Sequence, residues 1–423
     1  MNENERSGSD HLMEEVVEGR NVEEALQRVR KNKGSPGMDG MTVDELAAHL
    51  AKEWPNLRKQ LLAGTYQPRP VKRQQIPKPD GGTRELGIPT CVDRFVQQTI
   101  LQVLQPRFDP TFSEHSYGFR PGRSAHSAIL AAQQYIEEGR NWVVDMDLEK
   151  FFDRVNHDVL MSRMAKRIED KRMLRLIRRY LEAGIMVNGV VMERYEGTPQ
   201  GGPLSPLLAN VLLDEVDKEL ERGGHAFCRY ADDCTISVQS ERAGKRVMEG
   251  MRKLYGKLRL KVNESKSRVA PATGDGKFLG YGFWRNRKGE VKRAVAKKAL
   301  ETMKERVRKI TKRPGGKSMR QVFEELSVYL RGWKNFFRLA ETPWTLRGLD
   351  GWIRRRLRMV QVKQWRTGKK ARQRLAALGV PPHQALIVAA LVRRYWRVAK
   401  HPALNIAFPN SYYDRMGVPR MAT

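Results

Sequence analysis

An α+β fold is the class the sequence predicts, and three observations carry that prediction. Short β-branched runs bounded by turn residues, Trp142 to Leu148 and Phe227 to Val238, read as strands. Apolar residues at helical spacing, as in Val22, Leu26 and Val29, mark helices between and before them. Beyond about residue 290, glycines and aromatics give way to long basic helical segments. The expected architecture is therefore an antiparallel sheet with helices behind it, followed by an α-helical basic domain.

The elements follow in chain order. Asn21 is placed to cap a helix that Gly34 ends, and Gly34 to Gly40 (GSPGMDG) is a turn-rich loop. Ile76 to Pro89 (IPKPDGGTRELGIP) reads as two strands around a Gly-Gly turn, carrying Lys78 and Arg84, with a helix from about Val92 to Leu104. The strand Trp142 to Leu148 leaves the core where its aspartates appear, and Phe151 to Asp158 is expected to turn into a helix. Gly197 to Pro206 packs three glycines and three prolines into a defined loop. An apolar helix, Leu207 to Leu213, follows, with Asp214 and Asp217 beyond it. Phe227 to Val238 (FCRYADDCTISV) is a β-hairpin with Asp232 and Asp233 at its turn.

Composition narrows the partners. The 423 residues hold 79 Lys and Arg against 48 Asp and Glu, a formal charge of +31, with 40% apolar residues to build a core. Such charge calls for a polyanion, and nucleic acid suits it because each neutralised phosphate releases counterions. A membrane surface is the weaker candidate. The mean hydropathy is −0.61, and the chain has no run of about 18 apolar residues. Most of the basic excess lies from Val291 to Lys400, where 30 Lys and Arg face 6 Asp and Glu. Trp333, Trp344, Trp352, Trp365 and Trp396 are interleaved there with clusters such as Arg354, Arg355, Arg356 and Arg358. The plain reading of those tryptophans is helix core, the alternative base stacking. Three cysteines give no disulfide framework, and the polar start shows no export signal, so a reducing cytoplasm is expected.

The chemistry centres on three carboxylates. Asp147 at one strand end and Asp232 with Asp233 at a hairpin tip would repel strongly if brought together, so cations must hold them. Mg²⁺ suits hard carboxylate oxygens, and Mn²⁺ accepts the same ligands. Two ions about 4 Å apart would activate a 3′-hydroxyl and stabilise the leaving oxygen of an in-line phosphoryl transfer. An isolated Asp-Asp, by contrast, is most often only a hairpin turn.

Six motifs in order change that balance. They are Tyr117-Gly-Phe-Arg-Pro-Gly-Arg123, Asp147-Leu-Glu-Lys-Phe-Phe-Asp153, Thr198-Pro-Gln-Gly-Gly-Pro-Leu-Ser-Pro206, Tyr230-Ala-Asp-Asp233, Asn263-Glu-Ser-Lys266 and Phe278-Leu-Gly-Tyr281. From about Asn21 to its end the chain resembles the bacterial group II intron-encoded reverse transcriptases, or maturases.

That resemblance implies a right-hand polymerase: a polar segment over 1–20, fingers and palm over 21–285, and a thumb or X domain over 286–423. It implies that Asp147, Asp232 and Asp233 bind two metal ions, with the Leu148 carbonyl as a further ligand. Lys78 and Arg84 would hold the incoming dNTP triphosphate, a point charge beside a bidentate fork. Phe152 would be the steric gate against a 2′-hydroxyl, and Gln200 would lie beside the nascent base pair. Lys266 would protonate pyrophosphate or form a surface salt bridge. Phe278, Leu279, Gly280 and Tyr281 would form the primer grip. Gly34 and Gly37, in an N-terminal motif of the family, would clasp the template, and Arg120 and Arg123 would contact template or brace the fingers. Arg354, Arg355 and Arg356 in the X domain would contact RNA.

The implied activity is RNA-directed DNA synthesis on an RNA template with a DNA primer and dNTPs, with group II intron RNA as a further partner in splicing and retrohoming. The chain shows no Cys or His cluster of an HNH endonuclease, as in the IIC subgroup, so second-strand cleavage is not expected of it. Two other readings stand beside this one. One is an RNA-binding splicing cofactor without significant polymerase activity, the other a domesticated relative in DNA repair or phage defence.

Overall fold

In the computed structural model the described residues are 11–77, 82–187, 190–192, 195–198, 201–274, 276–312 and 317–422. They form two compact units, Met1–Ala272 and Thr273–Thr423, a division that falls before the composition boundary at 285–286.

The first unit opens with α1 (Leu12–Val16), α2 (Gly19–Lys31) and α3 (Leu46–Leu62). Strands β1 (Val71–Pro77) and β2 (Thr83–Ile88) precede α4 (Cys91–Phe108) and α5 (Ala125–Glu137). Next come β3 (Trp142–Met146), α6 (His157–Met164), α7 (Lys171–Glu182), β4 (Ile185–Val187) and β5 (Val190–Met192). The unit closes with α8 (Ser205–Arg222), β6 (Ala226–Tyr230), β7 (Asp233–Val238), α9 (Glu241–Lys257) and β8 (Arg268–Pro271).

Two sheets result. One, in the order β6-β7-β3-β8, is antiparallel throughout. The other, β2-β1-β4-β5, is mixed, because β1 runs parallel to β4. The core continues from the first sheet, through Val144, Met146, Phe227 and Ile236, into the helices behind it, through Leu207, Leu212, Met251 and Tyr255. Each such buried aliphatic or aromatic side chain contributes about 1.5–3 kcal/mol.

Three expected elements differ from those observed, each for a local reason. Asn21 is not a helix cap: α2 begins at Gly19, and the Asn21 amide donates to the Val16 and Thr99 carbonyls. Phe151–Asp153 makes only a short 3-10 turn, since Lys150 before it is left-handed. Helix α6 instead starts after Asn156, whose side chain accepts from the Val159 amide. Helix α8 runs on past Leu213 and carries Asp214 and Asp217 within it. Asp217 is tolerated there, fully buried, because Arg229 pairs with it.

The second unit holds β9 (Lys277–Phe278), β10 (Tyr281–Arg285) and β11 (Val291–Val295), a three-stranded antiparallel sheet. Helices α10 (Lys297–Thr311), α11 (Met319–Phe336) and α12 (Pro343–Trp365) follow. Ser318 and Gln321 close a capping box on α11. The chain then passes through α13 (Gly368–Ala377), α14 (Pro382–Ala390) and three short helices, Tyr395–Val398, Pro402–Ala407 and Asn410–Arg415. Of the five tryptophans interleaved with the basic clusters, Trp333 is buried, Trp352 and Trp365 are half-buried, and Trp344 and Trp396 stay exposed at 61% and 39%. Among the described residues no helix is long and apolar enough to cross a membrane.

Candidate active site

The acidic cluster follows from strand register. Met146 on β3 pairs with Cys234 on β7, so the next residue on each strand, Asp147 and Asp233, fall opposite one another. Tyr230 pairs with Asp233, leaving Ala231 and Asp232 as the hairpin turn, with Ala231 left-handed at φ 57°. The Asp147 backbone is fixed on its other side. Its amide donates to Ser267 Oγ at 3.0 Å and its carbonyl accepts from the Asn263 amide at 2.8 Å. Leu148 bridges to Val262 with its side chain in the core.

Electrostatics report the crowding. The Asp233 carboxyl is pushed up to about 6, first by desolvation from surrounding protein and then by the charges of Asp232, Asp147 and Asp145. Lys266 pulls the other way, which places its charge near the same carboxylate. Asp145 is an acid the sequence reading passed over. It accepts from Thr235 Oγ1 at 3.1 Å, and the signal for it was its position two residues before Asp147 on the same strand face.

A divalent ion fits this donor set. The cluster offers hard oxygens whose mutual repulsion a cation would relieve. Among the described residues no group of three or more His, Cys, Asp or Glu side chains stands close enough, as placed, to hold a metal ion, so the fit rests on the chemistry of the donors alone.

Beneath the hairpin lies a polar network that sequence reading missed. Arg229 is 0% exposed, and its five N–H donors are all used. Two go to Asp217, one to Asn210 Oδ1 at 3.0 Å, one to Ser116 Oγ at 2.7 Å and one to the Ala231 carbonyl at 3.0 Å. Asn210 in turn donates to the Gly118 carbonyl at 2.9 Å. Gly118 is pressed so close to the hairpin that a β-carbon would lie 2.3 Å from the Ala231 nitrogen. The Tyr117 amide donates to the Arg229 carbonyl at 2.8 Å. The strained turn is therefore held from below by side chains on α8 and by the Ser116–Gly118 segment. The only sequence signal was an arginine beside Tyr230.

The remaining predicted residues sort clearly. Phe152 is half-buried, edge-on to Phe151. Its carbonyl accepts from the Thr198 amide at 2.6 Å, and the Gly197 amide donates to the Val155 carbonyl at 2.7 Å, so the glycine-rich loop is tied to this segment. Lys78 and Gln200 lie outside the described residues, and Arg84 stands on β2 opposite Ile76.

Of the two roles the sequence left open for Arg120 and Arg123, bracing is the one their contacts match, and Gly34 and Gly37 stand at close approaches. Arg120 is buried and spends its donors on Asp109 and on the carbonyls of Ser113, Ser116 and Asp109, so it braces its loop. Arg123 is bound to the Glu114 carboxylate and carbonyl and lies over the Tyr117 ring. Gly34 and Gly37 serve close packing: a β-carbon would lie 1.9 Å from Arg94 Nη1 in the first case and 2.6 Å from Thr90 Cα in the second.

In the second unit Leu279 and Gly280 both have positive φ, forming a tight turn between Phe278 and Tyr281. Tyr281 is buried and donates to the Phe336 carbonyl at 2.6 Å. Arg354 is 2% exposed and donates to Asp414 and to the Val418 and Pro419 carbonyls, so its charge is turned inward, away from the RNA contact expected of it. Arg356 donates to Thr311 Oγ1 at 2.7 Å. Arg355 lies 3.9 Å from the Trp396 ring centre and donates to the Trp396 carbonyl.

The chain matches the family model for reverse transcriptase (RNA-dependent DNA polymerase) over residues 76–283, which gives the class: an RNA-directed DNA polymerase. It also matches the group II intron maturase-specific domain over 300–378. Protein YkfC of Escherichia coli is 36% identical over 309 residues, covering 62% of this chain and 80% of YkfC. Group II intron-encoded protein LtrA of Lactococcus lactis is 29% identical over 344 residues, covering 65% of this chain and 57% of LtrA. A putative COX1/OXI3 intron 1 protein of Saccharomyces cerevisiae is 31% identical over 223 residues, covering 52% of this chain and 26% of that protein. The chain belongs to the group II intron reverse transcriptase and maturase family. Polymerases of this family use divalent metal ions and act on RNA.

Proposed function

We propose that this protein synthesises cDNA on an RNA template, extending a DNA primer with dNTPs at the Asp147, Asp232 and Asp233 cluster. The observation that carries the reading is the register that sets Asp147 opposite Asp233. Asp147, Asp232, Asp233 and the Leu148 carbonyl would hold two Mg²⁺ ions, with Mn²⁺ as a substitute. When bound, such ions supply charge neutralisation at the attacking and leaving oxygens.

The chain's own groups do the rest. Lys78 and Arg84 bind the triphosphate, and Phe152 excludes a ribose 2′-hydroxyl by its volume. Gln200 sits against the nascent pair, Lys266 stands by the departing pyrophosphate, and Phe278 to Tyr281 steady the primer. The thumb or X domain spans residues 286–423. Through it the protein would also bind group II intron RNA and assist its splicing; the maturase-specific match over 300–378 supports that second role. The bacterial origin of YkfC and LtrA supports a bacterial cytoplasmic setting.

The test is primer extension on a long RNA template with dNTPs and Mg²⁺. Asp232→Ala with Asp233→Ala should lower extension by about a thousandfold or more, the loss of several kcal/mol of transition-state stabilisation. RNA affinity should be retained. Extension equal to wild type would overturn the site, whereas tight RNA binding without extension by either protein would favour the splicing-cofactor reading.

A further inference from the structure

The hairpin end of β6 and β7 carries the aspartates; the other end, at Ala226 and Ser237, borders a cavity of about 750 Å³. Four residues of strand, about 13 Å, separate the two ends. One wall is a face of α9. Arg246, Gly250, Lys253 and Lys257 all line the cavity, and their spacing of four, three and four residues sets them in a single row along the helix. Arg140 stands in another wall, while Val247 and Leu254 give an apolar shelf.

The charge of this row is not spent within the protein. Among the described residues no carboxylate forms an ion pair with Arg246, Lys253 or Lys257. One acid, Glu219, also lines the cavity and is paired with Arg222, while Glu241 is paired with Lys245 and Glu249 with Arg252. Gly250 adds an independent observation. It sits mid-helix, where alanine is the better helix former, and a β-carbon there would meet no heavy atom within 4 Å. Packing does not require the glycine; what it provides is a flat gap in the row of cations, where a sugar–phosphate backbone can approach the helix.

We propose that this cavity is a second RNA-binding site, remote from the aspartates. It takes an unpaired stretch of RNA with its phosphates on Arg246, Lys253 and Lys257, its backbone against Gly250 and a ribose or base on the Val247–Leu254 shelf. Alternating cations and apolar ledges suit a single strand. An acidic peptide would find the charges but no use for the glycine gap.

The test uses the full chain and a short fluorescein-labelled polyuridine containing thiouridine, read by anisotropy at several salt concentrations and by ultraviolet cross-linking with peptide mapping. Wild type should cross-link within 241–257. The triple variant Arg246→Gln, Lys253→Gln, Lys257→Gln should bind about tenfold more weakly near physiological salt, with a salt slope reduced by about 2, as expected for three lost contacts to a single strand. Gly250→Glu should lose the cross-link while melting no lower than wild type, and Gly250→Ala should keep most of it. Unchanged affinity and slope in the triple variant, or no cross-link in this helix, would overturn the site. Displacement by polyglutamate as effective as by unlabelled polyuridine would overturn RNA as its ligand.

Discussion

Arg229 shows how one residue sets the geometry of the acids it never touches. Its guanidinium is fully buried and satisfied at all five donors, and one of them holds the carbonyl of left-handed Ala231, next to Asp232. Burial pushes the Asp217 carboxyl up, and the Arg229 charge opposes that push. Removing the cation strands a buried carboxylate, so Arg229→Met should cost about 3–5 kcal/mol, measured by urea unfolding. Arg229→Lys keeps a charge but loses the fork that spans Asp217, Asn210, Ser116 and Ala231. Its primer extension should therefore fall further than its stability, with a higher Mg²⁺ requirement. A Lys variant with a wild-type Mg²⁺ requirement would show that the turn is positioned without this network.

At the scale of elements, the hairpin β6–β7 stores strain that its surroundings hold in place. A left-handed alanine costs about 1–2 kcal/mol, and Gly118 is the surface against which that turn is pressed. Gly118→Ala should displace the hairpin backbone and reduce extension, while leaving the salt dependence of RNA binding as it was. A second element-scale device joins α1 to α7. Asp170 caps α7, accepts from the Met13 amide at 3.1 Å and pairs with Arg172, which also grips Glu14. Burial pushes the Asp170 carboxyl up, but the Arg172 side chain and the two amides outweigh it, and the net shift is downward. A depressed carboxyl contributes stability that is present above its unfolded value near 4 and is lost as pH falls through its folded value. The melting-temperature gap between wild type and Asp170→Asn should therefore be full at pH 7 and should shrink as the pH falls below about 4. A gap that stays constant over that range would show that Asp170 acts only as a neutral cap.

At the scale of the whole molecule, what was legible in the sequence was local. The strand Trp142–Met146, the β-hairpin around Asp232, whose turn is Ala231–Asp232 with Asp233 already on β7, and the order of the motifs depend on neighbours in the chain, and each was readable there to within a residue. What was not legible depends on partners far along it. Nothing near Asp217 announces that Arg229 will pair with it, and a run of arginines looks the same whether it faces solvent or core. Arg354, Arg355 and Arg356 separate on that point: a helix turns about 100° per residue, so three adjacent arginines point three ways. Arg354 is directed beneath the C-terminal segment, where Asp350 also accepts from the Met421 and Ala422 amides, and the segment is thereby fastened along α12. The net charge of +31 therefore overstates the cation available to nucleic acid. This separates two quantities that a surface arginine would couple. Arg354→Gln should lower the stability of the second unit by about 2–3 kcal/mol, through lost charged hydrogen bonds, seen as a lower denaturant midpoint. The salt slope of template–primer binding should stay the same, because no phosphate contact has been removed. A slope reduced by about 1 with unchanged stability would mean that Arg354 leaves its buried partners to reach a phosphate.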